Sequence, residues 1–447
     1  MDAGGMTMVL APSHSFTNVG MKREVQRRFV VRAVFFIFIL SLIEGPLRKW
    51  FLPGLAGPLT LLRDPFVIML YAYCLVHGLM RTRGLAGIWL SFAFLTSLIG
   101  GFQYILAGLP AFGWALGVRT YWLYMPLAFV VAKSFRREDV HRFLKLCLWI
   151  AIPYALLVAA QYDAPARAFL NRGVGGDEEG AVGLGRDIVR PFGLFTYTGP
   201  NVQYTAFTIA AFVAFYVGNV PIRRRWLFLL VSGAAVGTMS VLTGSRSIYF
   251  LAAMILGLTL IGMFSARMTR TNLKRALGIV SFAGLAAALF VFVFPDMLDA
   301  MANRFDRAAR SEGSIWNRAF GGLIRWIDPL FTVPIFGMGI GAGATGVARM
   351  LGLPPLIYGE SDLQRNVNEL GLIMGSAMLA LRFGLAAWIG WIAFRLARRG
   401  EVLALPLAGF AFFPFLMGQI THSPLNAFSV WLAAGIIFSL KDRPTDG

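Results

Sequence analysis

A chain of 447 residues that is 57% hydrophobic and only 14% charged, with a mean hydropathy of +0.67, lies outside the composition of soluble globular proteins and excludes a soluble enzyme. The net charge of +19 is not a nucleic-acid signature in such a chain, because basic residues are first distributed by side of the membrane. Cys74 and Cys147 sit in or beside apolar spans, so neither a disulfide framework nor a metal site is indicated.

The first twenty residues are polar and small. They lack a basic region leading into an apolar stretch and a cleavage site, so no cleaved signal peptide is expected and the first helix serves for insertion. A helix crosses the roughly 30 Å hydrocarbon core with about 20 residues. Apolar runs punctuated by Gly, Pro and charge predict twelve spans: 29–43, 65–80, 85–107, 111–132, 143–161, 201–218, 226–243, 247–264, 277–295, 368–393, 402–419 and 426–440. The expected fold is an all-α polytopic membrane helix bundle. A tail, 1–28, precedes nine helices within 29–295; a long periplasmic loop, 296–367, with amphipathic helices precedes three helices within 368–440 and a tail, 441–447.

Connections containing "KREVQRR", "RTR", "KSFRREDVHRFLK", "PIRRRW", "ARMTRTNLKR" and "RLARR", and the tail "KDR", alternate with less basic ones. This places both termini in the cytoplasm. Segments 44–64 and 162–200, the turn holding Arg246, 296–367 and "THSPLN" then face outward, and "GPLRKWF" is the main exception to the charge trend. The long loop is too apolar and aromatic for disorder and is expected to fold back as a lid.

Arginines on that outer side are the candidates for chemistry. In "SVLTGSRSIYF", Arg246 stands in a tight turn between two spans; a charge there either snorkels to headgroups or marks a substrate path. Arg190, Arg246, Arg318 and Arg365 lie beside apolar or aromatic neighbours at span ends, which favours an anion site, because guanidinium forks suit phosphate oxygens. Arg304, Arg307 and Arg310 read instead as a solvated helix face laced with ion pairs. Arg119 should face inward, toward a carboxylate of another span or toward substrate; Arg382 reads as structurally paired.

In "GESDLQRNVNELG", Arg365 and Glu369 are one helical turn apart and can pair, with Ser361 or Asp362 as N-cap. Alternatively Glu360 or Glu369 is a general base near the cationic site. "FGMGIGAG" has no preceding strand and no following "GK[ST]", so close packing or a hinge explains it better than phosphate binding. His14, His77, His141 and His422 make no ligand spacing, and no cofactor is expected.

The motifs "TGSRS", "SIWNRAFGGLIRWI" followed by "PIFGMGIGAG", and "GESDLQRNVNELGLIMG", in this order across about residues 190 to 395, resemble those of the O-antigen ligase and polymerase superfamily (the Wzy and WaaL type). The resemblance implies metal-independent, inverting glycosyl transfer from an undecaprenyl diphosphate-linked saccharide donor to a saccharide acceptor, with Arg246 and Arg318 gripping the diphosphate. A chain-length regulator is a conceivable partner, membrane lipids surround the chain, and nucleic acid is not a partner. Ligases of the family place a histidine where this chain has "ESDLQRNVNELG". That departure favours a polymerase of O-antigen or exopolysaccharide over a ligase and leaves the base open between Glu360 and Glu369. Arg190, Arg365 and Arg119 complete the expected diphosphate site, and a flippase or other transporter is the rival expectation.

Overall fold

The computed structural model describes residues 14–180, 182–183, 189–266, 269–293, 321–343, 347 and 361–441. It is 78% helix and 1% strand. The α-helices among the described residues are α1 (His14–Pro46), α2 (Asp64–Val76), α3 (Leu85–Leu106), α4 (Ala111–Trp122), α5 (Met125–Ser134), α6 (Arg137–Asp163), α7 (Thr198–Val217), α8 (Arg225–Leu242), α9 (Arg246–Ala266), α10 (Arg270–Val293), α11 (Asp362–Arg398), α12 (Ala404–Leu416) and α13 (Pro424–Lys441). Eight are long and apolar enough to cross a membrane, or nine if the bent pair α4 and α5 forms one span. Helices dominate for a simple reason: without water, each backbone N–H and C=O must be satisfied within the segment.

The expected spans coincide with helices, but among the described residues eight or nine of them, not twelve, are long and apolar enough to cross a membrane. The helix expected at 29 begins at His14. Its polar first turns are held by the connection between α5 and α6: Arg27 pairs with Asp139 and Glu24 with Arg136, the latter at 2.8 Å. The expected span 111–132 is bent by 41° between α4 and α5, where Pro126 occupies the first turn of α5 and has no N–H to continue the ladder.

α7, α12 and α13 lie at the centre, buried along most of their length. An aromatic column runs between them and their neighbours, with ring centroids 4.9 Å apart for Phe38 and Phe143 and 5.2 Å apart for Phe207 and Phe410. In lipid, helix association depends on close packing rather than on expelling water. Gly435 of α13 provides it against α5, where a Cβ would come within 2.9 Å of the Ala128 backbone.

The bundle has two ends. The lower one carries the end of α13 and an Arg137–Glu401 ion pair of 2.8 Å between the starts of α6 and α12. The upper one carries the turn Thr243–Ser245 before α9, the segment 47–63, and the connection 164–197 with its short antiparallel hairpin, β1 (Val182–Gly183) and β2 (Val189–Arg190). Segment 321–343 folds back over α3, α4 and α11 at this end. Gln103 Nε2 donates to the carbonyls of Phe336 and Gly337 at 2.7 and 3.1 Å, and Trp326 packs beside Leu363 and Val367.

Candidate functional site

The upper end is organised by the segment 189–197, "VRPFGLFTY". Gly193 N donates to Gln161 Oε1 at 2.8 Å, and Asn201 Nδ2 donates to the Pro191 carbonyl at 2.9 Å. Tyr154 OH donates to Asn201 Oδ1 at 2.6 Å, which fixes that amide. Lys49 Nζ reaches the Gly193 carbonyl at 2.8 Å and lies 4.4 Å from the Trp50 ring centroid. Because the segment is pinned at both flanks, β2 delivers Arg190 to a fixed place. Its Nε donates to the Thr243 carbonyl at 3.2 Å. Thr243 begins the turn that leads into Arg246, the first residue of α9, so the structure brings these two predicted arginines to one turn, both half-buried.

The run "GPLRKWF" turns out to belong to the same end. Glu44, at the close of α1, accepts from Arg63 Nε at 2.7 Å and from Arg48 Nη1 at 3.3 Å. Arg63 lies 5.3 Å from the Tyr124 ring centroid, and Tyr124 OH donates to Asp64 at 3.2 Å. Asp64 also pairs with Arg119, whose Nη2 donates to the Thr60 carbonyl at 2.8 Å. Arg48, Glu44, Arg63, Tyr124, Asp64 and Arg119 therefore form one continuous network. Arg63 is 1% exposed, yet its Nη1 has no hydrogen-bond partner. A desolvated N–H left over in this way costs roughly 1–3 kcal/mol.

The third part is the start of α11. Ser361 caps it, its side chain accepting from Gln364 N. Asp362 Oδ2 accepts from Ile420 N, Thr421 N and Thr421 Oγ1 at 2.8 to 2.9 Å, and from Arg382 Nη1 at 3.2 Å. Arg382 is thus the structural pair that its mid-span position suggested.

About three turns past the cap, α11 is interrupted at Gly371, whose φ of +82° suits glycine. The interruption frees the carbonyls of Asn368 and Glu369, which accept from Met338 N at 2.9 Å and Gly339 N at 3.1 Å. The glycine-rich loop continues past the Glu369 side chain: Gly341 N and Gly343 N donate to its two oxygens at 2.9 Å each. Tyr121 OH donates at 2.7 Å and Arg365 Nη2 at 3.1 Å. The "GMGIGAG" loop is thus an anion cradle whose occupant is the protein's own carboxylate.

This geometry bears on the expected general base. Glu369 is 0% exposed and holds four donors, so it ties α11, α4 and the glycine loop together, and no lone pair is turned to an acceptor hydroxyl. The expected pair of Arg365 and Glu369 is present. Arg365, 3% exposed, retains an Nε without a hydrogen-bond partner. Beside it, His422 has a buried Nδ1 with no partner, and Tyr197, half exposed, lies by Ser423 and the Glu44 network. Burial lowers the His422 pKa to about 4, aided by the Arg365 charge, with Asp362 opposing; the ring is neutral at pH 7.

Of the predicted site residues, Arg190 and Arg246 meet at the α8–α9 turn, Arg119 joins Asp64, and Arg365 joins Glu369. α4 links the last two, carrying Arg119 and, two residues on, Tyr121. Arg318 and Glu360 lie outside the described residues, as do Arg304, Arg307 and Arg310. Sequence reasoning missed Glu44, Arg48, Lys49, Arg63, Asp64 and Tyr124. The signal was there in the charges of "EGPLRKWF" and "RDP" at the outer ends of two apolar runs. Among the described residues, no three His, Cys, Asp or Glu side chains converge as a metal site. Comparison of the chain with protein-family models, with curated proteins and with solved structures gives no match.

Proposed function

We propose that the chain is a multi-pass inner-membrane glycosyltransferase that joins polyprenyl diphosphate-linked saccharide units at the periplasmic face, in the making of O-antigen or exopolysaccharide. The observation that supports this reading is the gathering of cations at the upper end. Arg48, Lys49, Arg63, Arg119, Arg190, Arg246 and Arg365 stand there; among the described residues Arg48 and Arg63 pair with Glu44, Arg119 with Asp64 and Arg365 with Glu369, while Lys49 reaches the Gly193 carbonyl and Arg190 the Thr243 carbonyl. Arg63 and Arg365 each keep a buried nitrogen without a partner. Such an assembly favours a ligand with several negative charges, and a diphosphate answers it with bidentate oxygens. The basic connections at the lower end support a cytoplasmic lower end in this reading, with the cation cluster on the periplasmic side.

In the proposed reaction, an acceptor hydroxyl attacks the anomeric carbon of the donor sugar. The new C–O bond forms on the opposite face as the bond to the diphosphate breaks. Arg246, Arg190 and Arg318 hold the diphosphate, and the charge growing on it as it leaves is offset by these guanidinium groups. Arg365 and Arg119, fixed by Glu369 and Asp64, add positive charge at the same end. With Glu369 engaged as a tie, Glu360 is the carboxylate of the original pair that takes the hydroxyl proton.

The test uses the purified full chain in liposomes supplied with a polyprenyl diphosphate-linked oligosaccharide. Longer saccharide on the lipid supports polymerisation, whereas transfer to a different acceptor assigns a ligase. Relocation of unchanged substrate across the bilayer overturns the enzymatic reading in favour of a carrier.

A further inference from the structure

Polar side chains buried in a membrane bundle ordinarily hydrogen-bond to a neighbour, and two amides of the upper end do so through both head atoms. Gln161 Nε2 donates to the carbonyls of Leu170 and Gly193 at 2.9 and 3.1 Å, and its Oε1 accepts from Gly193 N. Asn201 accepts from Tyr154 OH and donates to the Pro191 carbonyl. Two other amides of this end differ. Gln203, two residues past Asn201 on α7, is 8% exposed, and its Nε2 has no hydrogen-bond partner among the described residues. Asn426, in the first turn of α13, is 9% exposed, and its Oδ1 has none among them either.

Both stand at one place. Gln203 lines a cavity of about 20 Å³ between α1, α7 and α13, together with Ser41, Phe195, Phe428 and Ser429. Asn426 is one turn before Ser429 on the same face of α13, and its carbonyl accepts from Ser429 Oγ at 2.9 Å. The space holds one water or one hydroxyl group, and Leu425, half-buried, borders it. The cation network adjoins it. Phe428 is 5.7 Å from the Tyr124 ring, on which Arg63 lies, and Tyr197 stands by both Ser423 and the Arg63–Glu44 pair. The pinned segment that carries Arg190 also supplies Phe195 to the cavity wall. An amide donor and an amide acceptor beside two serines, in a lining that carries no charged residue, suit a neutral group that both donates and accepts, which is a hydroxyl. We propose that Gln203 and Asn426 bind hydroxyls of the saccharide whose diphosphate the neighbouring arginines hold, one hydroxyl entering the cavity. This rests on the diphosphate reading above and adds to it the residues that tell a sugar-loaded lipid from a bare one.

The experiment uses the full chain in detergent and two lipids: polyprenyl diphosphate-linked oligosaccharide extracted from the organism that carries the gene, and bare polyprenyl diphosphate of the same chain length. Calorimetry is expected to show about tenfold tighter binding of the first, which two neutral hydrogen bonds supply. The double variant Q203M/N426L should bind both lipids with the parent's affinity for the bare one, and each single variant should keep a preference of about threefold. Without lipid, the double variant should unfold at or above the parent's midpoint, because it removes buried polar atoms that no protein group satisfies. A clearly lower midpoint assigns the two amides to structure and overturns the proposal. Equal affinity of the parent for the two lipids, the result if water alone fills the cavity, or a preference that survives in the double variant overturns the proposal and leaves the diphosphate reading standing. Binding of neither lipid overturns that reading and the proposal with it. A parent that prefers the loaded lipid without lengthening it keeps the saccharide subsite and removes the transferase.

Discussion

Two buried arginines show how the same side chain can be architecture in one place and an open valence in another. Arg382, between α11 and α12, is fully buried and every guanidinium nitrogen is used: Nε on the Phe415 carbonyl, Nη1 on Asp362, Nη2 on the carbonyls of Pro414 and Gly418. Those carbonyls belong to the last turn of α12 and the residues just past it, so the arginine ties down the end of that helix inside the apolar bundle. Arg63, at the start of α2, is equally buried, but only its Nε finds a carboxylate, while Nη1 finds none. The first charge is spent on the protein; the second has a donor left for a ligand. Arg365 lies between these cases, with Nη2 on Glu369 and Nε unpartnered.

The contrast sets the order of expected effects. Arg382→Met removes the buried counter-ion of Asp362 and the guanidinium donor of three carbonyls and should cost about 3–5 kcal/mol, as for a buried ion pair broken on one side; detergent-solubilised protein should unfold at clearly lower temperature or fail to accumulate. If Arg382→Met melts like the parent, the distinction between the two arginines collapses. Arg63→Met should cost less, about 1–3 kcal/mol, since Glu44 keeps Arg48, while binding of a soluble diphosphate, measured by calorimetry, falls much further than stability does.

Gly341→Ala probes the cradle rather than a charge. Gly341 has φ +75°, and an added Cβ would overlap the Cα of Gly117. A loss of about 1–3 kcal/mol is expected, with slower chymotryptic cleavage of the loop after Phe336 in the parent than in the variant. Arg246→Ala should shift stability by no more than about 1 kcal/mol, as a half-buried residue at a helix start, and yet abolish lengthening of the lipid-linked saccharide. Retained lengthening would remove Arg246 from the proposed site.

The smallest effect concerns His422, neutral in the fold because of burial. A histidine whose folded pKa is depressed takes up its proton more readily when unfolded. Its contribution to stability is therefore complete above about pH 6.5 and declines as pH falls toward about 4. His422→Gln should flatten the fall of unfolding midpoint across that window, and an unchanged acid limb would mean that another group controls it.

Much of the helix architecture could be read in advance because its cause is local. Runs of apolar side chains must leave water, and a backbone in lipid must close its own hydrogen bonds, so "IYFLAAMILGLTLIGMF" is a helix wherever it sits. The i, i+4 pair of Arg365 and Glu369, the cap at Ser361 and the structural status of Arg382 followed from spacing and position in the same way. The bend after α4 was less legible. Pro126 was visible, but a proline within an apolar run either kinks a span or is absorbed by it, and neighbours decide which.

The site was legible only by halves. That arginines at the outer ends of spans matter could be argued from the cost of charge at a membrane, but which of them share a network could not. Arg63 needs Glu44 and Tyr124, which are 19 residues before it and 61 after it along the chain; Glu369 needs Gly341 and Tyr121. Such pairings arise from how the helices cross, and no periodicity encodes them. Composition and hydropathy by themselves determined that this is a helical membrane protein with charge gathered at span ends, because solvation by lipid acts on each segment separately. Tertiary structure alone decided that the glycine loop cradles Glu369 and that Arg63 keeps a spare donor, because hydrogen bonds are short and directional and depend on the placement of segments far apart in the chain.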